Sequence, residues 1–260
     1  MGSMTRVSVE PAWILHRYPY RDSSLLLEVF TREHGRTGLV ARGARNSRCR
    51  WRGQLQLMSP LLLSWNLRGE LGTLTAAETR GALAPIPGRC LLSASYLNEL
   101  LLRLLNRHDP HPGLFDAYER AMVALPDSEE QVLRIFEKSL LQELGYGLQL
   151  DQEAGSGVPV EEQALYEYRL EQGPVRCDGS AGSGLLLRGT SLLALHRERP
   201  FDKQAGRELK ALLRAALDLY LGARPLKTRT VLRELTALER THGSRNVPGR
   251  LPDQQGDGHA

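Results

Sequence analysis

The stretch Gly38-Leu-Val-Ala-Arg-Gly-Ala-Arg-Asn-Ser-Arg-Cys-Arg-Trp-Arg-Gly53 joins two kinds of sequence. Its first residues are small or apolar and belong to a run that predicts a β-strand over Arg36–Arg42. The remainder alternates arginine with small or polar residues around a single tryptophan, a pattern typical of an exposed loop. The stretch therefore predicts a strand that leads into an arginine-rich loop.

The charge of this region is uncompensated. Residues 36 to 68 include seven arginines and no Asp or Glu. A guanidinium group stays charged, forks onto phosphate oxygens and stacks on bases, and an exposed aromatic ring suits unstacked bases. A loop that only keeps a protein in solution is the alternative, but such surfaces normally mix both signs of charge. We expect nucleic-acid contacts from Arg36, Arg42, Arg45, Arg48, Arg50, Trp51 and Arg52.

The positive charge is concentrated in the first third of the chain. Residues 1–80 contain 12 arginines and six acidic residues, a net charge of +6, whereas the whole 260-residue chain has a net charge of +4. The remaining 180 residues therefore have a net charge of −2. This asymmetry indicates a polyanion-binding module attached to a second, slightly acidic part.

Several classes of protein are disfavoured by the sequence. Cys49, Cys90 and Cys177 are far apart, so they predict neither a disulfide framework nor a zinc site. The apolar run Leu91–Leu105 is interrupted by polar and charged residues and cannot span a bilayer, and no signal-peptide pattern opens the chain. We therefore expect a cytoplasmic, nucleoid-associated protein with no membrane contact, no metal and no cofactor.

The sequence pattern predicts β structure in the first third of the chain. Turn signals separate five candidate strands: Val9–Tyr18, Ser24–Thr31, Arg36–Arg42, Met58–Trp65 and Gly72–Thr79. Five short strands in this length match a small closed barrel of the oligonucleotide-binding (OB) kind, which binds nucleic acid on the face of strands 2 and 3 and in the flanking loops. The arginine-rich loop would then lie beside that face.

Beyond Pro85–Gly88 the apolar spacing becomes helical. Helices are predicted over Leu91–Arg107, Leu114–Leu125, a segment from residue 127 to Gly145, Leu192–His196, Asp202–Leu221 and Arg229–Glu239. The overall prediction is an α+β protein with an OB-type β-barrel domain over 1–83 and a mainly α-helical domain over 84–240. That second domain includes a small irregular or β insertion at about 148–187, and a disordered tail follows over 241–260.

No cluster of reactive groups indicates an enzyme. His108 and His111 lie in a proline-containing break without further metal ligands, so no catalytic or metal-binding residue is predicted. Arg134 and Lys138 lie four residues apart, on the helix face opposite the predicted core positions Leu133 and Phe136. They are the candidates for capture of an acidic peptide with an apolar tip. An ordinary solvated helix face is the alternative.

Taken in order, several segments resemble the bacterial RecO family of recombination mediators over residues 11–235. The matching segments are 13–25 (WILHRYPYRDSSL), 28–31 (EVFT), 35–45, 60–63 (PLLL), 96–101 (YLNELL), 136–137, 144–147 (LGYG) and 220–229 (YLGARPLKTR). None of these segments is diagnostic alone, but their order and spacing together are specific.

The resemblance implies a non-enzymatic role in recombinational DNA repair. Proteins of this family bind single- and double-stranded DNA, anneal complementary strands, recognise the acidic C-terminal tail of single-strand-binding protein, and act with RecR to load RecA. Their basic loop corresponds to the arginines from Arg42 to Arg52 here, and their tail-binding region to the helix with Arg134. Some members have a four-cysteine zinc site in the region matching Leu148–Leu187, where only Cys177 is present in this chain. The alternative from the residues alone is a generic OB-fold module that acts on RNA or ribosomes.

Overall fold

A computed structural model describes residues 5–46, 48–51, 53–81, 86–179, 182 and 184–243 of the chain, with side chains described through residue 235. Arg52, one of the predicted contact residues, lies outside the described residues. So do residues 244–260 of the predicted tail. The remaining predicted site residues are all described.

The N-terminal part is a closed five-stranded barrel. Its strands are β1 (Thr5–Tyr20), β2 (Ser24–Thr31), β3 (Gly35–Ala41), β4 (Pro60–Arg68) and β5 (Leu71–Thr79). They are hydrogen-bonded in the order β1-β2-β3-β5-β4, and β1 also pairs with β4 to close the ring. All pairs are antiparallel except β3 with β5. This is the OB-type barrel that the sequence predicted.

Strand β1 pairs with both β2 and β4, and it bends at two bulges. The register shifts between Val7 and Glu10 on the β4 side, and between Ile14 and His16 on the β2 side. Bulges bend and twist a strand. Val9 at the first bulge has a φ of 55°, and its amide donates to the Ser64 hydroxyl over 3.0 Å.

Inward-facing apolar side chains fill the barrel. They include Ile14, Leu27, Val29, Leu39, Leu61, Leu63 and Trp65, each at most 1% exposed. Close packing explains the glycine at position 72, where a Cβ atom would lie 2.6 Å from the Leu39 side chain and 2.8 Å from the Trp65 ring. A larger residue at position 72 of β5 would displace the side chains of Leu39 on β3 and Trp65 on β4.

Helices dominate the rest of the chain, with a small sheet inserted among them. The helices are α1 (Leu91–Leu104), α2 (Pro112–Ala124), α3 (Glu129–Glu143), α4 (Gly189–His196), α5 (Lys203–Leu221) and α6 (Lys227–Gly243). The sheet has the order β7-β6-β8, with β6 at Leu165–Arg169, β7 at Gly173–Cys177 and β8 at Leu185–Arg188. The predicted irregular or β insertion at about 148–187 contains most of this three-stranded sheet. Within the described range no helix is long and apolar enough to cross a membrane.

One core joins the barrel to the helices. Trp13 and Phe30, on the outer surface of β1 and β2, pack against Tyr118 and Phe115 of α2 with ring-centroid distances of 5.4 Å each. Tyr118 donates to Asn98 of α1 over 2.6 Å. These ring contacts, together with the hydrogen bond inside the helical part, hold the barrel against α1 and α2.

Candidate nucleic-acid interface

The loop between β3 and β4, residues 42–59, crosses one end of the barrel and is called the arginine loop below. The backbone amide of Arg45 donates to the carbonyl of Ser23 in the β1–β2 turn over 2.9 Å. Farther along, the Arg50 guanidinium donates to the carbonyl of Thr75 on β5 over 3.2 Å. Because the loop is tied to two sides of the barrel, its side chains project from a defined backbone.

Four of the predicted contact residues, Arg42, Arg45, Arg48 and Arg50, are exposed on the arginine loop. Within the described part of the chain, none of the four guanidinium groups forms an ion pair with a carboxylate. The arginine loop therefore presents net positive charge to solvent, which is the electrostatic property that a phosphate backbone requires.

Trp51 is buried, so the expectation of an exposed ring for base stacking is wrong. The side chain is 6% exposed and packs into the barrel core beside Leu55. The Arg50 guanidinium lies over the indole, 4.0 Å from its centroid, and covers the ring from the solvent side. Burial of the large indole at the end of the barrel removes apolar area from water, and this outweighs exposure on the loop.

Arg36 is also not free to hold a phosphate. It lies on the outer surface of β3, where its Nη1 is 3.2 Å from Glu28 Oε2, and its side chain is 18% exposed. Arg107, which follows α1, pairs with the other oxygen of the same carboxylate. Burial lowers the pKa of Arg36, and the attraction of Glu28 offsets part of that effect. Arg36 thus helps to join the barrel to the helical part.

The pairing with Arg107 covers part of the face of strands 2 and 3 that the barrel type would offer to nucleic acid. The His108 amide donates to the Arg36 carbonyl over 2.9 Å, which brings the segment after α1 against the edge of that face. Gly38 permits this approach, since a Cβ atom there would lie 2.6 Å from Leu71 and 3.4 Å from the Arg107 guanidinium. Nearer the arginine loop, Leu26 and Val40 on the same face remain partly exposed.

Two exposed aromatic residues that the sequence pattern did not single out lie on the adjacent strand β1, opposite Glu28 and Leu26 of β2. His16 and Tyr18 on β1 stack with ring centroids 4.1 Å apart and an interplanar angle of 18°. Both are exposed, Tyr18 to 43%. The available signal was the alternation of ring-bearing residues at positions 16, 18 and 20, which places them on one face of a strand.

Arg134 and Lys138 do not form one exposed strip, and that expectation is corrected. Arg134 is 5% exposed and its Nη1 lies 3.2 Å from Oε2 of Glu137, one turn away on α3. Lys138, one turn farther along the same helix, is not free either, because its Nζ pairs with Glu198 at 2.7 Å. Helix α3 packs between α2 and α5, so more of its surface is covered than a one-sided amphipathic pattern suggests.

Arg134 instead borders a cavity of about 460 Å³ between α1, α3, α5 and α6, called the cationic cavity below. Its charged lining consists of Arg89, Arg134, Lys210, Arg214, Arg229, Arg233, Glu129 and Glu137. Its apolar lining includes Leu92, Leu133 and Leu232. Six cations and two acids around apolar side chains give the cavity a net positive charge together with an apolar surface.

A buried network lies at the base of this cavity. Tyr96 donates its hydroxyl to Glu137 Oε1 over 2.6 Å, and the Arg229 guanidinium lies 5.8 Å from the Tyr96 ring centroid. Burial raises the pKa of Glu137, while Arg134 and Tyr96 act in the opposite direction. The Nε of Arg134 and Oε2 of Glu137 make no hydrogen bond within the described structure.

The residues around the small sheet do not fit the four-cysteine zinc site that the family resemblance implies for some members. Cys177 ends β7 as a free thiol, whereas Cys49 lies in the arginine loop and Cys90 is buried before α1. Among the described residues, no group of three His, Cys, Asp or Glu side chains could hold a metal ion. The sheet is instead tied by hydrogen bonds such as those from Arg169 and the Gly184 amide to Glu167, both of 2.8 Å.

Comparison with known proteins gives a consistent assignment for both parts of the chain. The family model described as "Recombination protein O N terminal" matches residues 4–82, and "Recombination protein O C terminal" matches residues 89–230. The chain is 52% identical over 237 residues to a DNA repair protein RecO of Alkalilimnicola ehrlichii, covering 90% of this chain and 94% of that relative. A relative of the same description from Nitrosococcus oceani is 47% identical over 235 residues, covering 90% and 96%. Another from Dechloromonas aromatica is 43% identical over 243 residues, covering 92% and 100%.

Proposed function

This chain belongs to the RecO family of DNA repair and recombination proteins, and we propose that it is a recombination mediator that binds single- and double-stranded DNA and anneals complementary strands. The observation that carries the proposal is the exposure of Arg42, Arg45, Arg48 and Arg50 on a loop without acidic residues. Phosphate groups are the chemical partners that such a cluster favours.

The proposed mechanism requires no bond to be made or broken. Guanidinium groups neutralise phosphates on two strands and release the counterions that had condensed on them, which lowers the repulsion that opposes pairing. Each phosphate contact on a single strand contributes about −0.7 to the slope of log affinity against log salt. Strand annealing should therefore be fastest at low salt and should depend on the charge of the arginine loop.

A second part of the proposal concerns protein partners. The cationic cavity combines basic and apolar side chains, which supports binding of the acidic tail of single-strand-binding protein: carboxylates would pair with the cations while an apolar tip contacts Leu133 and Leu232. Docking on that tail would raise the local concentration of the protein at coated DNA. Cooperation with RecR in loading RecA rests on family membership alone.

The DNA-binding part is tested by charge reversal on the arginine loop. In the Arg42→Glu/Arg48→Glu variant we expect strand annealing to be lost and the salt dependence of single-strand binding to become shallower, by roughly 0.7 for each contact removed. The matched control is Arg199→Glu/Arg207→Glu, which changes the net charge equally at exposed positions of the helical part. Equal loss of annealing in both variants, or unchanged DNA affinity in the first, would contradict the assignment to this loop.

The partner-binding part is tested by calorimetric titration with an acidic peptide that has an apolar C-terminus. Lys210 lines the cationic cavity and is exposed, so Lys210→Glu should weaken binding about tenfold without unfolding the protein. Lys203→Glu on the same helix lies outside the cavity and serves as the control. Annealing on DNA coated by single-strand-binding protein with and without its tail then tests whether the contact matters for the reaction.

The alternative of a generic RNA-binding or ribosome-binding module is tested by competition. Single-stranded DNA and RNA of the same sequence are allowed to compete for the protein at one salt concentration. Because phosphate contacts alone do not distinguish the two polymers, a strong preference for RNA would indicate contacts to the 2′-hydroxyl and would favour the alternative.

A further inference from the structure

The stacked pair His16 and Tyr18 has an unusual combination of order and exposure. The two rings lie nearly parallel at a centroid distance of 4.1 Å, yet both side chains are exposed to solvent. Large aromatic side chains are usually covered in a folded protein, as Trp13 and Phe30 are on the neighbouring part of the same barrel surface. A preformed, solvent-facing stack has a free π-face that a further ring can cover.

The position of the stack connects it to the arginine loop. Tyr18 lies opposite Leu26 of β2, which lies opposite Val40 of β3, so the three side chains share the outer surface of the barrel. Leu26 and Val40 are half-buried. Arg42 follows Val40 by two residues and is the first exposed cation of the loop. A strip of aromatic and apolar surface therefore runs from the stack to the beginning of the arginine loop.

Cations lie at the end of this strip near the arginine loop. At the end of β1, the Arg21 guanidinium lies over the Tyr20 ring at 5.3 Å, and the Arg45 guanidinium donates to the Arg21 carbonyl over 3.3 Å. A polymer with a base on the aromatic rings would therefore meet positive charge where it continues onto the arginine loop.

Resting on the proposed DNA-binding function, we infer that the His16–Tyr18 stack receives an unpaired base of a single strand whose phosphates lie on the arginine loop. Base stacking on aromatic side chains needs an accessible base face. In a duplex both faces of an internal base are covered by its neighbours, so a duplex can use the arginines but not the stack. The His16–Tyr18 stack therefore adds selectivity for single-stranded over double-stranded nucleic acid to a site that otherwise contacts only phosphate groups.

The test separates bases from phosphates. Fluorescence anisotropy measures the affinity of wild-type protein and Tyr18→Ala for three probes: oligothymidylate, an abasic oligonucleotide of equal length, and a duplex. We expect Tyr18→Ala to lose about tenfold in affinity for oligothymidylate and to keep its affinity for the other two probes, because only the oligothymidylate has a base that can stack on the ring. Tyr18→Phe, which retains the ring, should bind oligothymidylate like the wild type.

A matched control comes from a second exposed stack. Tyr146 is 45% exposed and stacks on Tyr220 at 3.6 Å in the helical part, so Tyr146→Ala removes a comparable ring away from the barrel and should leave all three affinities unchanged. Retained oligothymidylate affinity in Tyr18→Ala would overturn the inference, as would equal losses for the oligothymidylate and abasic probes. Wild-type protein that binds none of the three probes would instead overturn the proposed function itself.

Discussion

The Arg134 guanidinium lies 3.2 Å from the carboxylate of Glu137, three residues farther along α3. The two side chains are only 6% and 2% exposed. A pair with this little solvent around it behaves differently from a surface ion pair. Removing both charges from water is costly, and the cost is recovered only while both partners are present. The pair also fixes one wall of the cationic cavity, so its integrity affects both stability and binding.

Loss of one partner of this pair should therefore destabilise the protein more than loss of both. We expect Arg134→Met to lower the free energy of unfolding by about 3–5 kcal/mol, because Glu137 is left buried without its ion-pair partner. The Arg134→Met/Glu137→Leu double variant should recover most of that loss. Urea denaturation followed by circular dichroism measures the wild type, Arg134→Met, Glu137→Leu and the double variant, and additive effects of the two substitutions would contradict the coupling.

The pH dependence of unfolding provides a second measurement on Glu137. Burial raises the pKa of this carboxyl in the folded state above its ordinary value of 4.5, despite the opposing effects of Arg134 and Tyr96. The folded protein then holds the proton more tightly than the unfolded chain, so this contribution to stability is present below pH 4.5 and is lost as the pH rises through the folded pKa. As the pH rises over that range, the free energy of unfolding of the wild type should fall relative to that of Glu137→Gln. A shift in the opposite direction would show that attraction to Arg134 outweighs burial.

Helix α6 should depend on Glu99 for its attachment. The Glu99 carboxylate accepts hydrogen bonds from the amides of Lys227 and Thr228 at 2.8 and 2.9 Å and from the Thr228 hydroxyl at 2.7 Å. Beyond this contact, Leu232 and Leu235 of α6 are 47% and 48% exposed. We expect Glu99→Ala to weaken the attachment by about 1–2 kcal/mol, as loss of a helix cap does. Faster hydrogen exchange at the Lys227 and Thr228 amides would show it.

Acid should weaken the same attachment in the unaltered protein. Burial alone would raise the pKa of Glu99, but the hydrogen bonds from Thr228 and Lys227 hold that pKa below its ordinary value. The stabilisation is present above the unfolded-state pKa and is lost as the pH falls through the folded pKa. After correction for intrinsic exchange rates, protection of the two amides should fall in acid for the wild type only. Protection that falls equally in Glu99→Ala would assign the effect to another group.

Trp51 should contribute to stability and not to base stacking. Replacing a buried aromatic by alanine typically costs about 3–5 kcal/mol, so Trp51→Ala should lower the unfolding free energy by that order and Trp51→Phe by less. Thermal or urea unfolding monitored by circular dichroism measures the loss. If Trp51→Ala kept the stability of the wild type and lost affinity for single-stranded DNA, the indole would be a contact residue after all.

Local pattern in the sequence was enough to predict the barrel and the exposure of several arginines in the loop. Strand β2 has the predicted bounds Ser24–Thr31, because alternation between turn signals depends on the pleat of one strand alone. Exposure of Arg42, Arg45 and Arg48 also follows locally, since a guanidinium without a nearby acid is most stable in water. Family membership could likewise be predicted, because it rests on the order of short segments along the chain.

What only the tertiary structure decided was the environment of individual side chains. Arg36 meets its neighbour Arg107 through Glu28, Trp51 fills an end of the barrel, and Arg134 is enclosed by helices on both sides. In each case the partner lies on another element or across a cavity, so no spacing within the segment reports it. Periodicity records which side chains point in the same direction, whereas burial depends on what the folded chain brings against that side.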